Sequence, residues 1–561
     1  MSQISRLFLR HTKVVCVLMT LAVFVSLITL SNFSARAQST ALTFARTNLQ
    51  VKGLGPRGIT AEDLNGDEIP DLVVANLGTY QLYQSQTLDV FYGKGDGTFT
   101  LAQTLPVGDG NQPYGIAAAD LRSNERLDII VPNKDGRTVS VFLQKEDGTF
   151  AEPVAYAAND AWSSSVADLN GDTIPDIAVA NFDSYAITLL MGVGDGTFFQ
   201  PTVIPATAGM QPRAVEFGDF NGDGRNDMVV PSDTFDGRVA VFLNKGEKNA
   251  ASFEPPRIYR VGQLTGFAVV HDIDSDGKLD IITSSAYSNN ISALFGNGDG
   301  TFTAPRQYGT GDIWPFGIVL TDFDGDGKSD IIATSAKGMT CSVLLGDGRG
   351  GFSAPQFFET EGPSRWAAVA DFNLDDKVDI AVGNYTFSGN FETDPGRFFN
   401  IVSVMLNHST MQLTHPASFR VNCGGSLVPM GNNLQFAADG NFDGGKVITT
   451  DQFINGTTNQ ALYQSARQGT FTYTAQVAAG RSYTVKLYLA ELSQKFSKKR
   501  ALTIAINGKT ILQNSNLLKQ AGMLNARPVA RRNVWPDSNG QIRIDFSGKK
   551  GGAICSGISI F

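Results

Sequence analysis

The sequence predicts an all-β chain in two parts: a seven-fold array of four-stranded units, then a separate run of alternating strands. Three observations predict this. An aspartate-rich loop followed by a short apolar run is written seven times between Asp63 and Asp379. The loops start at Asp63, Asp120, Asp168, Asp219, Asp272, Asp322 and Asp371, which are 57, 48, 51, 53, 50 and 49 residues apart. A period of about 50 residues is what one propeller blade or one solenoid unit needs. After Asn407 the period stops, and alternating runs such as Tyr483-Thr-Val-Lys-Leu-Tyr-Leu begin.

Residues 1–37 come first. Arg6, Arg10 and Lys13 form a basic start, Val14 to Leu30 is apolar, and Ala35-Arg-Ala37 is a small-x-small site. This is the pattern of a signal peptide cleaved before Gln38. It predicts a secreted or cell-surface protein with no membrane span after removal of that peptide. An uncleaved anchor is the alternative, since a 17-residue apolar run is barely long enough to span a bilayer.

The array occupies residues 38–408. Its loops place oxygen side chains at positions 1, 3, 5 and 9. The sets are Asp63, Asn65, Asp67, Asp71; Asp168, Asn170, Asp172, Asp176; and Asp219, Asn221, Asp223, Asp227. The others are Asp272, Asp274, Asp276, Asp280; Asp322, Asp324, Asp326, Asp330; and Asp371, Asn373, Asp375, Asp379. Such spacing, with glycine at position 4 or 6, can surround one hard cation, and calcium takes about six to eight oxygens. A strand-like run such as Leu72-Val-Val-Ala follows each loop, so an EF-hand, which needs a helix there, is excluded. The loop at Asp120 departs: Arg122 stands at position 3 and Asn124 at position 5. The expectation is about six calcium sites and one vacant unit.

Each unit reads as four strands. In the fifth, Phe267 to Asp272 leads into the loop, Leu279 to Thr283 leaves it, and Asn290 to Phe295 is a third run. The turn Gly296-Asn-Gly-Asp-Gly-Thr-Phe302 opens a fourth, Ala304 to Tyr308. Short β-branched runs between Gly/Asp clusters are strands, and four antiparallel strands make a blade. The seventh unit lacks its Gly-Asp-Gly-Thr-Phe strand. Leu42-Thr-Phe-Ala-Arg-Thr47 is similar to the missing piece and is expected to complete the last unit, removing an exposed edge.

Repeat and loop together resemble the FG-GAP/VCBS family, the calcium-bearing propellers related to integrin α-subunit heads. The resemblance implies a seven-bladed β-propeller with calcium between the first and second strands of each blade. It also implies adhesion or ligand binding, to carbohydrate or to a cell-surface or matrix protein.

Six residues before each loop stand Arg57, Tyr114, Trp162, Arg213, Gly266, Phe316 and Arg365, with Trp366 next to the last. Strands rise about 3.3 Å per residue, so this position begins the strand at the face opposite the metal. Seven-fold repetition makes it a ring around the channel. Arginine and aromatic side chains there are a candidate site for an acidic glycan or a protein loop.

Residues 409–417 read as a linker and 418–561 as a second domain. Phe419-Arg-Val-Asn-Cys-Gly-Gly425, Phe436 to Asp439, Phe442-Asp-Gly-Gly445, Leu462 to Arg467, Tyr483 to Glu491 and Ile504 to Gly508 resemble malectin and malectin-like carbohydrate-binding domains. That implies a jelly-roll-like β-sandwich with sugar-binding loops at one end. Tyr463 matches an aromatic that such domains set against a sugar ring. The further aromatics expected after Ala490-Glu491 are replaced by Leu492-Ser-Gln, and Lys549-Lys550 stands where an acid is expected. If the terminal strands of this domain pair antiparallel, Cys423 falls beside Cys555. Cys341, in a blade strand, reads as a buried free thiol.

The two parts differ in charge. Residues 38–417 carry 24 Lys/Arg against 48 Asp/Glu, and residues 418–561 carry 17 against 6. Much of the array's acidity is metal ligand. The basic excess of the second part, with Lys495, Lys498, Lys499, Arg500, Arg527, Arg531, Arg532, Lys549 and Lys550 expected in loops, points to acidic polysaccharide or to docking on the acidic array. No nucleic-acid motif is present. The histidines after residue 37 are His271, His408 and His415, and none completes a Ser/His/Asp or metal-His constellation. The expected protein is a calcium-stabilised, non-catalytic binding or adhesion protein with a carbohydrate-directed C-terminal domain. The alternatives are a propeller lectin with a structural tail and a polysaccharide-active lyase or glycosidase.

Overall fold

Runs such as Leu72-Val-Val-Ala are apolar without alternation because both faces of the strand are covered. In a computed structural model, the second strand of every blade is buried along its whole length. The model describes residues 41–409 except 79–85, 108–111, 208, 248–250, 313 and 386–399. Of residues 419–560 it describes all but 424–427, 432–433, 450–461, 463, 478, 480–481, 491–500, 516–525, 538 and 550–552. The expected signal peptide, Tyr463, Lys495 and Lys498–Arg500 lie outside the described residues. Among the described residues no helix is long and apolar enough to cross a membrane.

Seven antiparallel four-stranded sheets form the array. Blade I has strands Pro56–Glu62, Asp71–Asn76, Thr87–Gly93 and Phe99–Pro106. The order repeats in blades II (117–157), III (161–205), IV (216–260), V (265–309) and VI (315–359). Blade VII takes Ser364–Ala370, Asp379–Asn384 and Ile401–Asn407 from its own repeat. Its outer strand is Phe44–Gln50, paired antiparallel from Phe44↔Asn407 to Gln50↔Ile401. The closing strand thus starts and ends slightly later than Leu42–Thr47. The fourth strand of blade V is likewise Arg306–Gly309 instead of 304–308.

Apolar side chains pack between neighbouring blades. Val73, Leu88 and Val90 of blade I meet Ile129, Val131 and Phe142 of blade II. Closure is made by the same means: Leu72, Val74 and Phe91 of blade I pack on Ala381, Val402 and Val404 of blade VII. In the Gly-Asp-Gly-Thr-Phe turn of blade I, the Asp96 carboxylate accepts from Thr98 N and Oγ1 at 2.9 and 2.6 Å. Gly97 has φ +79°, and a Cβ there would lie 2.6 Å from Leu406 of blade VII, so the turn admits only glycine.

The second domain is a sandwich. One sheet orders Phe419–Asn422, Gly557–Ile560, Tyr483–Ala490 and Ala526–Val534. The other runs Phe442–Thr449, Ser465–Gln476, Gln541–Lys549, Ala501–Ile506 and Lys509–Ser515, with Ala553–Cys555 on the second of these. Phe471, Tyr473, Leu487, Ile504, Phe546 and Ile558 fill the space between them. The terminal strands pair antiparallel, Phe419↔Ile560 to Asn422↔Gly557, which brings the buried Cys423 and Cys555 sulfurs to 3.8 Å. Arg527, Arg531, Arg532 and Lys549 lie in strands, contrary to the loop placement expected for them. Residues 43–561 form one compact unit.

Candidate metal loops, an arginine cluster and the docked tail

Each aspartate loop is shaped by its own backbone. Asp63 accepts Gly66 N at 2.7 Å and Glu68 N at 3.1 Å. Asp168 and Asp322 bind the same two amides of their loops, at positions 4 and 6, while Asp219, Asp272 and Asp371 take those at positions 5 and 6. Position 3, Asn65, Asn170, Asn221, Asp274, Asp324 or Asn373, accepts from the amide at position 5. Position 5, Asp67, Asp172, Asp223, Asp276, Asp326 or Asp375, accepts from the amide at position 7. Position 9 has a second task. Asp71 accepts Leu64 N at 2.9 Å and, from the end of the third strand, Gly93 N at 2.9 Å. Asp176, Asp227, Asp280, Asp330 and Asp379 repeat both bonds. The carbonyl at position 2 then receives the next blade: Gln144 Nε2 on Leu64 O at 2.9 Å, Asn244 Nδ2 on Leu169 O at 2.8 Å, and Gly97 N on Phe372 O at 2.9 Å.

These loops concentrate charge in partly dry surroundings. Burial first, and the sister carboxylates second, push Asp71, Asp280, Asp322 and Asp379 up to about 7. Asp176 and Asp227 are pushed up to about 6 for the same reasons. Carboxylate oxygens of Asp272, Asp274 and Asp276, and of Asp322, Asp324 and Asp330, gather within 4.8 Å of one another. The donors are all oxygen and repel one another, which fits a hard divalent cation and not a thiophilic metal.

Blade II meets the same crowding of carboxylates with an arginine. Arg122 donates from Nη2 to Asp128 Oδ1 at 2.6 Å and from Nε to Asp128 Oδ2 at 3.1 Å. It also reaches Gln144 O at 2.6 Å. The guanidinium thus neutralises the ninth-position aspartate. In blades V and VI a lysine does part of this from outside, Lys278 on Asp276 at 2.8 Å and Lys328 on Asp326 at 2.6 Å.

At the other end of the first strands the ring residues converge. The Arg57 guanidinium lies 3.4 Å over the Tyr114 ring and 5.5 Å from Trp162. Arg213 stacks 4.3 Å over Trp162 and pairs with Asp233. Arg365 lies 4.5 Å over Phe316 and donates to the Tyr385 hydroxyl. Tyr114, Trp162 and Phe316 form one buried cluster, edged by Trp366 and Phe182. Tyr114 and Arg213 sit just before their strands, Ala117–Ala119 and Glu216–Gly218. Gly266 places no side chain here, and the Phe316 ring comes within 3.5 Å of where its Cβ would be.

The tail domain rests on the loop end of the propeller. Glu68, buried and at position 6 of the first loop, accepts Arg420 Nε at 2.7 Å, Ser559 Oγ at 3.0 Å and the Tyr488 hydroxyl. Lys486 Nζ reaches Gly66 O at 3.0 Å and Asp63 at 3.9 Å. Trp535 stacks on His271 at 3.5 Å, and burial holds that imidazole down to about 4, hence neutral. Sequence reasoning missed Glu68. The sequence offered little signal for it: Gly224, Gly277 and Gly327 stand at this position in three sister loops, but Glu125 and Asp376 are charged there too. Within the tail, Arg467 stacks 3.3 Å over Phe442 and pairs with Asp439, which also accepts the Tyr473 hydroxyl at 2.6 Å. Tyr463 lies outside the described residues.

Two protein families match this chain, in agreement with the architecture. The FG-GAP-like repeat family matches residues 63–131, 124–179, 168–230, 272–333 and 322–382. The Malectin domain family matches residues 417–557. Among curated proteins, the kinesin-like protein KIN-14Q of Arabidopsis thaliana is 29% identical over 128 residues, 23% of this chain and 10% of that protein. The kinesin-like protein KIN-14E of Oryza sativa subsp. japonica is 27% identical over 150 residues, 25% of this chain and 14% of its own length. The chain therefore covers only a small part of either relative. Among solved structures, an Agrocybe aegerita lectin described as recognising non-reducing terminal N-acetylglucosamine has a TM-score of 0.41 at 18% identity, over 58% of this chain and 92% of the lectin. Virginiamycin B lyase from Staphylococcus aureus has a TM-score of 0.42 at 10% identity, over 65% and 99%. Seven four-stranded blades, matched in five segments by the FG-GAP-like repeat family, and a strand sandwich matching the malectin family make this chain an all-β FG-GAP-like repeat propeller with a C-terminal malectin domain.

Proposed function

We propose that this is a non-catalytic, carbohydrate-directed binding protein that works outside the cell and whose propeller is held by about six calcium ions. The observation that carries the reading is the malectin domain across residues 417–557. Six loops with four oxygen side chains each support the calcium, and the basic, apolar, small-residue order of residues 1–37 supports export. A glycan array probed with the intact protein tests it. Neutral or acidic glycans should bind, and Tyr463→Ala should abolish binding if the tail stacks a sugar on that ring. An array without signal would overturn the reading.

A second reading has its own observation. The tail is anchored through Glu68 and Trp535, as a packing module would be. In that case the propeller binds the glycan, and Tyr463→Ala changes nothing on the array.

A further inference from the structure

The arginine cluster carries more positive charge than its described surroundings answer. Three guanidiniums share the same rings. Arg57 and Arg213 lie 5.5 and 4.3 Å from Trp162, Arg213 and Arg365 lie 5.1 and 4.5 Å from Phe316, and Arg57 and Arg365 lie 5.6 and 5.2 Å from Tyr385. Asp233 answers Arg213. Among the described residues no carboxylate pairs with Arg57 or Arg365. Lys134 stands 5.8 Å from Trp162, but it faces Asp183 at 3.7 Å.

Removing a charge from water without a partner is costly. Burial holds Arg57 and Arg213 down to about 10, which leaves both cationic at neutral pH. The cluster also has unspent donors. Among the described residues Arg57 Nε, Arg213 Nε and Trp162 Nε1 are buried and have no hydrogen-bond partner, and Arg57 and Trp162 are only 4% and 6% exposed. A buried donor without a partner is costly. Arg365 and Trp366 are half-buried, which leaves the cluster a way out to solvent.

We propose that this cluster is an anion site that takes the carboxylate of an acidic sugar, a uronate, with Arg57 and Arg365 as its charge partners. A guanidinium presents a planar fork that matches a carboxylate, and the half-buried Trp366 offers an indole ring to the C–H side of a sugar. The inference rests on the carbohydrate reading above and names the substrate class of a second site on the propeller, separate from the malectin domain.

The test uses the full chain with glucuronate, glucose, acetate and chloride. Glucuronate should raise the unfolding temperature and change tryptophan emission, and glucose should do neither at the same concentration. Acetate and chloride distinguish a sugar site from a bare anion site. If either matches glucuronate mole for mole, the sugar assignment is overturned. The double variant Arg57→Met, Arg365→Met should weaken glucuronate at least tenfold with calcium content unchanged, and binding equal to the parent would overturn the site. Should that variant not fold, Arg365→Lys keeps the charge and loses the fork, and the same weakening in smaller measure is expected. Neutralising Glu392 and Asp394, which lie outside the described residues, checks for an internal counter-ion. A loss of stability on doing so, with parent protein indifferent to glucuronate, would overturn the proposal. Loss of array binding with glucuronate binding intact would fall on the tail's role and leave this site standing.

Discussion

Glu216, in the first strand of blade IV, shows how one side chain sets a pH dependence. Burial pushes its carboxyl up to about 8, against one hydrogen bond from Ser165 that lowers it. The folded chain therefore holds this proton up to about pH 8, while an unfolded glutamate releases it at about pH 4.3. Between these values the folded state binds more protons, so this group's contribution to stability falls as pH rises through the window. Glu216→Gln should raise the unfolding temperature at pH 8 and leave it nearly unchanged at pH 5. Equal effects at both pH values would show that the carboxyl is not held protonated. Cys341 is a simpler case. Burial pushes its thiol up to about 12, so there is almost no thiolate at neutral pH. Native protein should resist iodoacetamide at Cys341, and alkylation should follow unfolding.

The loop is the element on which the reading turns. Residue types at positions 1, 3, 5 and 9 were legible because the full set of oxygen donors recurs in register six times, and so was the exception at Arg122. The partners of the exception were not legible: that its guanidinium meets Asp128 and Gln144 depends on the third strand returning to the loop. Arg122→Asp should turn blade II into a cation site. The metal count of saturated protein should rise by one, and chelation should lower its unfolding temperature by more than the parent's. An unchanged count would mean that Asp128 is committed to backbone amides alone. The closing strand was legible for a related reason, because the seventh repeat is one strand short. Its register was not, since Phe44–Gln50 is set by pairing with Ile401–Asn407 and not by any local pattern. Deleting residues 38–50 should open the sheet edge and cause aggregation or loss of cooperative unfolding. A soluble deletion variant of parental stability would contradict this.

For the whole molecule, the joint between propeller and tail is the feature no local pattern foretold. The basic runs of the tail suggested docking on the acidic array, but the described contact is made by Arg420 and Lys486. Glu68 is the centre of it, nearly inaccessible, with one guanidinium and two hydroxyls around its carboxylate. It also belongs to the first aspartate loop, at a position where three of the six sister loops have glycine. Glycine there relieves a positive φ and removes no predicted metal ligand. Breaking a buried pair by deleting one partner costs about 3–5 kcal/mol, because the other charge is left dry and unpaired. Glu68→Gly should therefore loosen the tail without changing metal stoichiometry. Calorimetry should show one transition in the parent splitting into two, and protease should cut faster within residues 409–417. Arg420→Gln should give the same split from the tail's side, with the loop untouched. If both variants keep a single transition at the parental temperature, Glu68 is a passenger, and the two domains are held by Trp535 on His271 and by apolar contact instead.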